Sequence, residues 1–437
     1  MALHELSLVA MVAAIDAGLC TAQDIWADCA AQIARCEPQV QAWAHSPRSE
    51  FPPTASPQSQ AEPGALRGLP FGVKDTMDVR GLPCERGSPI WQGRVADADA
   101  TVVSLLQTAG ARVMGKTVST EFAFFRPGVT ANPHHLAHTP GGSSSGSAAA
   151  VAACMVPFAL GSQTAASVIR PASFCGVVGY VASMGMVALR GVTPLAQSLD
   201  ALGLFAREVA DLQLLHSSLH RNAAVPQAAP ACLPRRLLLM DGSLFGAVEP
   251  CMSDTLHANA ELLRTLGIDV RSATGVLTDA LLQEATRVHF RLMAREAYEN
   301  LAFESSHHRD LLSPQIRELL DTGGAVSGAE HAALLKTRMV LARQLDDALL
   351  GWDAVLAPAA NGGAPKGLGA TGRPDQSRAW QLLGLPQISL PVATDALGLP
   401  LGLQVIGRYG QDAALLTTAR VLQERMGWRA VPFTPAS

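Results

Sequence analysis

The segment "DATVVSLLQTAG" places Val102, Val103, Leu105, Leu106 and Ala109 on one face of a helix. Gly110 closes that helix, and "ARVMG" then reads as a strand. The same alternation fills the second half of the chain. "CMSDTLHANAELLRTLG" has helical spacing and ends on a glycine, and "IDVRSA" follows as a strand. Residues 278–349 carry mostly helical patterns. "WDAVLAPA", "QISLPVA" and "LGLQVIG" read as buried strands, and "DAALLTTARVLQERMG" reads as a closing helix. Near the start, Thr21 is placed to cap a helix through "DIWADCAAQIARC", with Asp24 three residues on. The Pro- and Ser-rich stretch "SPRSEFPPTASPQSQAEPGALRG" predicts a long surface loop. Helices and strands alternating in this way predict an α/β protein: a single α/β/α domain over 1–437, with a central twisted mixed β-sheet covered by helices.

Composition narrows the function classes. Charged residues make up only 16% of the chain and the net charge is −4, with no basic stripe, so a nucleic-acid partner is not expected. The eight cysteines are scattered, with no CxxC pair, and read as buried free thiols of a reducing compartment. "MALHELSLVAMVAAIDAGLC" lacks a basic leader and carries Glu5 and Asp16, so it predicts an amphipathic helix rather than a signal peptide. No stretch of about 18 apolar residues occurs. The expectation is a cytoplasmic protein, monomer or homodimer, without membrane partner, metal or cofactor.

Three motifs invite chemistry that their context denies. "GARVMGKT" fits a phosphate-loop pattern, but it follows a helix and enters a strand, the reverse of the order such a loop needs. "GSSSG" fits a nucleophile elbow centred on Ser144, yet "NPHHLAHTPG" before it is loop and not strand. His134, His135 and His138 have no second ligand cluster in the sequence and read as loop histidines. Lys116 and Glu121 are expected to be structural.

One stretch does hold together. "GGSSSGSAAAVAACMVPFALGSQTAASVIRPASFCG" offers a Gly/Ser loop, an apolar helix, and a second loop that presents Ser167 among small residues. Acyl transfer needs a nucleophilic hydroxyl, a base, and backbone N–H groups free to face an oxyanion. Small neighbours leave those groups unshielded, and Lys74 in "FGVKD" is the base in a comparably apolar setting.

The segments "GLPFGVKD", "AGARVMGKTVSTEFA", "TPGGSSSGSAAAVAA", "IRPASFCG" and "LGLPQISLPVA", in this order along the chain, resemble the amidase signature family. That family includes fatty acid amide hydrolase and the A subunit of glutamyl-tRNA amidotransferases. The resemblance implies the amidase signature fold and a Ser–cisSer–Lys triad of Ser167, Ser143 and Lys74. It also implies an oxyanion hole from the backbone N–H groups of Thr164, Ala165, Ala166 and Ser167. Signature core and variable pocket region are expected at about 65–205 and 278–349. Lys74 must then be neutral, well below its ordinary pKa of about 10.4, and Asp75 is expected to point elsewhere.

This chain departs from the family at "QTAAS", where Gln163 replaces an acid and Ala165 and Ala166 replace glycines. If either alanine needed positive φ, the oxyanion hole would be damaged, which leaves a non-catalytic binding or partner-supporting relative as the alternative. Arg170 is expected to anchor the nucleophile loop. Phe122, Phe124, Phe125 and Trp380 are expected to line an apolar pocket. The implied activity is hydrolysis of a small uncharged aryl or alkyl amide, with carbamates and esters open to the same machinery. An arginine-rich glutamine-handling stretch is missing, which argues against amidotransfer.

Overall fold

The computed structural model describes residues 2–50, 64–220, 234–431 and 433. Most of the predicted Pro/Ser-rich loop, and Cys232, lie outside them. Ten strands form one mixed sheet: β1 (Pro70–Lys74), β2 (Arg112–Thr117), β3 (Phe158–Gln163), β4 (Val178–Val181), β5 (Ala201–Ala206), β6 (Arg236–Leu239), β7 (Asp269–Ser272), β8 (Ala354–Pro358), β9 (Gln387–Thr394) and β10 (Pro400–Ile406). Their order is β2-β1-β3-β5-β4-β9-β10-β8-β6-β7. Both ends are parallel, and the pairings from β3 through β5, β4, β9 and β10 to β8 are antiparallel.

Helices cover both faces. One apolar cluster joins the sheet to α1 (Leu8–Asp16), α2 (Ala22–Val40), α3 (Thr101–Thr108), α4 (Ser145–Ala152), α5 (Ile169–Cys175), α6 (Val209–Leu219) and α7 (Pro250–Thr265). The second is built from α8 (Asp279–Asn300), α10 (Pro314–Gly324), α11 (Gly328–Ala348) and α12 (Arg378–Leu382), with α9 (Ala302–His307) joining α8 to α10 in sequence. The closing helix α13 (Asp412–Met426) belongs to the first cluster. Alternation within single strands separates the two: Leu237 and Leu356 fall in the first, Leu238, Val355 and Ala357 in the second.

Small residues set how closely α5 approaches the sheet. A methyl group added at Gly203 of β5 would come within 2.2 Å of Val168, and one at Gly179 of β4 within 2.5 Å of Ala172. Glycine at these points lets the loop before α5, which carries Ser167, press onto the central strands.

The helical and strand expectations hold at α2, α3, α7, α13 and β7–β10, and residues 278–349 are mostly helical. Thr21 and Asp24 form the expected reciprocal cap, at 2.8 and 3.1 Å. The N-terminus differs. Instead of one amphipathic helix there is a turn at Leu3–Glu5 and then α1, because Ser7 takes an extended conformation and accepts from the Ala10 N–H. Among the described residues, no helix is long and apolar enough to cross a membrane.

Candidate active site

β1, the Gly/Ser loop before α4, and the loop between β3 and α5 bring Lys74, Ser143 and Ser167 together. Lys74 is the last residue of β1, and its side chain is fully buried. Its Nζ lies 2.7 Å from Ser143 Oγ, 3.1 Å from Ser162 Oγ and 3.4 Å from the Ser162 carbonyl. Every one of these partners is uncharged. Burial pulls the Lys74 pKa down to about 7 against the opposing, smaller pull of Asp200. Asp75 does point elsewhere: its carboxylate accepts from Lys116 Nζ at 2.8 Å and from the Glu85 N–H at 3.0 Å. Lys116, on the decoy "GARVMGKT", is thus the buried ion partner of Asp75 at the end of β2.

Ser143 and Ser167 line one cavity with Thr164, Ala165 and Ala166. The two loops are tied by the Ser144 N–H donating to the Ser167 carbonyl at 3.3 Å, and the Gly142–Ser143 peptide is cis. Among the described residues, the backbone N–H groups of Thr164, Ala165, Ala166 and Ser167 have no protein acceptor. They are therefore available to an oxyanion. Neither Ala165 nor Ala166 has positive φ, so the methyl groups cost no backbone strain and the feared distortion has no conformational basis. Ala165→Gly and Ala166→Gly are accordingly expected to change kcat by less than about threefold. A gain of about tenfold or more in either would show that the alanines do distort the hole.

Gln163 and Thr164 hold this loop, with partners that the sequence reading did not name. Gln163, at the family's acid position, accepts from the Val168 and Ile169 N–H groups at 2.9 and 3.1 Å. It donates to Gln381 at 2.9 Å. Its amide oxygen thus serves as an acceptor without a charge. Thr164 donates to Asp200 at 2.5 Å, and the Thr164 carbonyl accepts from His289 Nε2 at 2.7 Å. Burial holds Asp200 up at about 6 and His289 down at about 3, so His289 is neutral. The sequence did carry a faint signal for Asp200, an acid directly before the apolar strand "ALGLFA". None marked Ser162 or His289.

Other expectations divide. Phe124 and Phe125 line the cavity, as do Leu195 and, from α8, Met293. Phe122 and Trp380 do not: both are buried in the second apolar cluster, Trp380 edge-on to Phe245 at 5.8 Å. Aromatic residues satisfy a core as readily as a pocket, and here the core claims them. Arg170 anchors the Gly/Ser loop rather than the loop of Ser167. It donates to the Gly142 carbonyl at 2.5 Å, the Gly372 carbonyl at 2.9 Å and Thr371 Oγ at 3.3 Å. Ser144 is fully buried at the start of α4 and is absent from the cavity lining, which removes the nucleophile-elbow reading. His134 and His138 each bond a backbone carbonyl, of Cys175 and Ala364 respectively. Glu121 is buried and accepts from the Ser313 N–H at 3.2 Å.

A buried lysine bonded to Ser143, which shares one cavity with Ser167 and unpaired N–H groups, supplies the groups that acyl transfer calls for. The Amidase family model matches residues 25–236 and 257–416, and the chain belongs to the amidase family. The A subunit of glutamyl-tRNA(Gln) amidotransferase from Anaeromyxobacter sp. (strain K) is 33% identical over 419 residues, covering 85% of each chain. The solved structure of the A subunit from Thermotoga maritima is 26% identical with a TM-score of 0.81, covering 99% of each chain. A crystal structure described as an amidase is 27% identical with a TM-score of 0.83, covering 96% of this chain and 100% of that one.

Proposed function

We propose that the protein hydrolyses the C–N bond of a small amide through an acyl-enzyme on Ser167, with Ser143 and Lys74 as its proton relay. The observation that carries this reading is the 2.7 Å contact between Lys74 and Ser143 in a fully buried setting where every hydrogen-bond partner of Lys74 is uncharged. Neutral Lys74 takes a proton from Ser143, which takes the proton of Ser167 as that oxygen bonds to the carbonyl carbon. The N–H groups of residues 164–167 receive the oxyanion. As the C–N bond breaks, the proton returns through Ser143 to the leaving nitrogen. Water then attacks the acyl-enzyme by the same relay and releases the acid. Carbamates and esters pass through similar tetrahedral species and fall within this chemistry.

Phe124, Phe125, Leu195 and Met293 suit an aryl or alkyl acyl group, and the place of Met293 in the cavity lining supports a share in specificity for the helices of 278–349. Hydrolysis is favoured over amidotransfer to a charged tRNA, since the sequence has neither a basic stripe nor an arginine-rich glutamine-handling stretch. An anilide and an ester of the same acid should share one acyl-enzyme. Both are therefore expected to partition between water and added hydroxylamine in the same acid-to-hydroxamate ratio. Ratios that differ between the two substrates would contradict a common intermediate.

A further inference from the structure

The cavity that holds Ser167 has a cationic part that the proposed chemistry does not use. Arg378, the first residue of α12, lines it together with Arg170, and no acidic residue is among the lining. Arg170 gives its terminal nitrogens to the Gly372 and Gly142 carbonyls and to Thr371 Oγ, although its Nε too is buried without a partner. Arg378 has no such acceptors. Among the described residues it donates no hydrogen bond and joins no ion pair, and its Nε is buried without a partner. Its one ring contact among them is Phe290, 5.5 Å from Cζ.

The charges around it do not resolve the deficit. Asp375 attracts Arg378 but gives its carboxylate to Arg373 Nε, at 2.6 Å. Arg170 repels it, and that repulsion adds to burial in bringing Arg170 down to about 9. A largely buried guanidinium with no counter-ion is costly to fold, and its planar fork of donors matches a carboxylate in two parallel hydrogen bonds. A single unused fork suits that group better than phosphate, which calls for a larger set of donors.

We infer that the substrate carries a carboxylate in addition to its scissile amide, and that Arg378 is the specificity residue that receives it. This rests on the reading of Ser167 as nucleophile, and it replaces the wholly uncharged substrate expected from the sequence. Phe124, Phe125, Leu195 and Met293 would then pack the short apolar link between the two polar ends.

Competition against labelling of Ser167 by a neutral fluorophosphonate tests it. Succinamate, glutaramate and adipamate, each with one carboxylate and one primary amide, are compared with succinamide, glutaramide and adipamide. At least one monoacid is expected to slow labelling at a concentration about tenfold or more below that of its diamide, the size of one charge-assisted pair. In Arg378→Gln that advantage should fall below about twofold, and Arg378→Lys should keep part of it. Labelling with equal protection, or none, from the two series would overturn the carboxylate site and leave the nucleophile reading standing. No labelling of Ser167 at all would sink the nucleophile reading itself. Should Arg378→Gln fail to fold, the monoacid-to-diamide comparison in the unsubstituted protein decides alone.

Discussion

Ser167→Ala is expected to abolish amide turnover, with a loss in kcat on the order of 10⁵ or more, as removal of a serine nucleophile does elsewhere. The side chain lines the cavity from the loop between β3 and α5, among N–H groups that have no protein acceptor among the described residues. Its loss removes the only protein atom in the proposed mechanism that bonds to the carbonyl carbon. The loop should survive the change. It is pinned by Gln163 to the Val168 and Ile169 N–H groups, and by Thr164 to Asp200 and His289. The variant should therefore melt close to the unsubstituted protein. Steady-state rates on any amide the protein accepts, with a melting curve beside them, check both halves. A variant that retained its rate would remove Ser167 from the mechanism.

The second large effect belongs to Lys74. Lys74→Met keeps much of the length and apolar stem but removes the base, and kcat should fall by about 10²–10⁴, the usual worth of positioned proton transfer. The pH profile carries the sharper test. The protonated ammonium cannot accept from Ser143, so the active fraction is the neutral one. With a pKa of about 7, that fraction grows as pH rises through 7 and is small at pH 5. Thus kcat/KM is expected to climb along one limb centred near 7 and then level off. A profile flat from pH 5 to 9 would contradict a base that titrates near 7, and one still climbing near pH 10 would mean that burial does not keep Lys74 neutral.

Much of this architecture is legible in the sequence because its parts are local. Short apolar runs between turn residues mark β8 to β10, and the reciprocal cap at Thr21 and Asp24 marks the start of α2. The order of helix and strand around Gly110 is enough to dismiss a phosphate loop, and the structure gives Lys116 to Asp75 instead. Ser167 stands out among small residues and Lys74 as a base in an apolar setting, while Ser143 is marked by the resemblance of the whole series of motifs to one family.

What the sequence hides depends on distant partners. His289 reaches Thr164 from a helix 125 residues later, and periodicity says only that α8 has a buried face. Ser162 looks like one more small residue in a strand, until β1 sets Lys74 beside it. Phe122 and Trp380 share the composition of pocket residues, and tertiary packing alone sends them to the core. Arg378 carries no sequence signal at all, since what marks it is the absence of a partner among the described residues. The alanines of "QTAAS" raise concern only through a positive φ that the backbone does not require.

The central claim, that Ser167 is an activated nucleophile, is tested most directly by intact-mass analysis after exposure to a fluorophosphonate, followed by peptide mapping. One adduct is expected, on Ser167, lost in Ser167→Ala and formed much more slowly in Lys74→Met. An adduct on Ser144, or none on a folded protein whose cavity admits the probe, would contradict it.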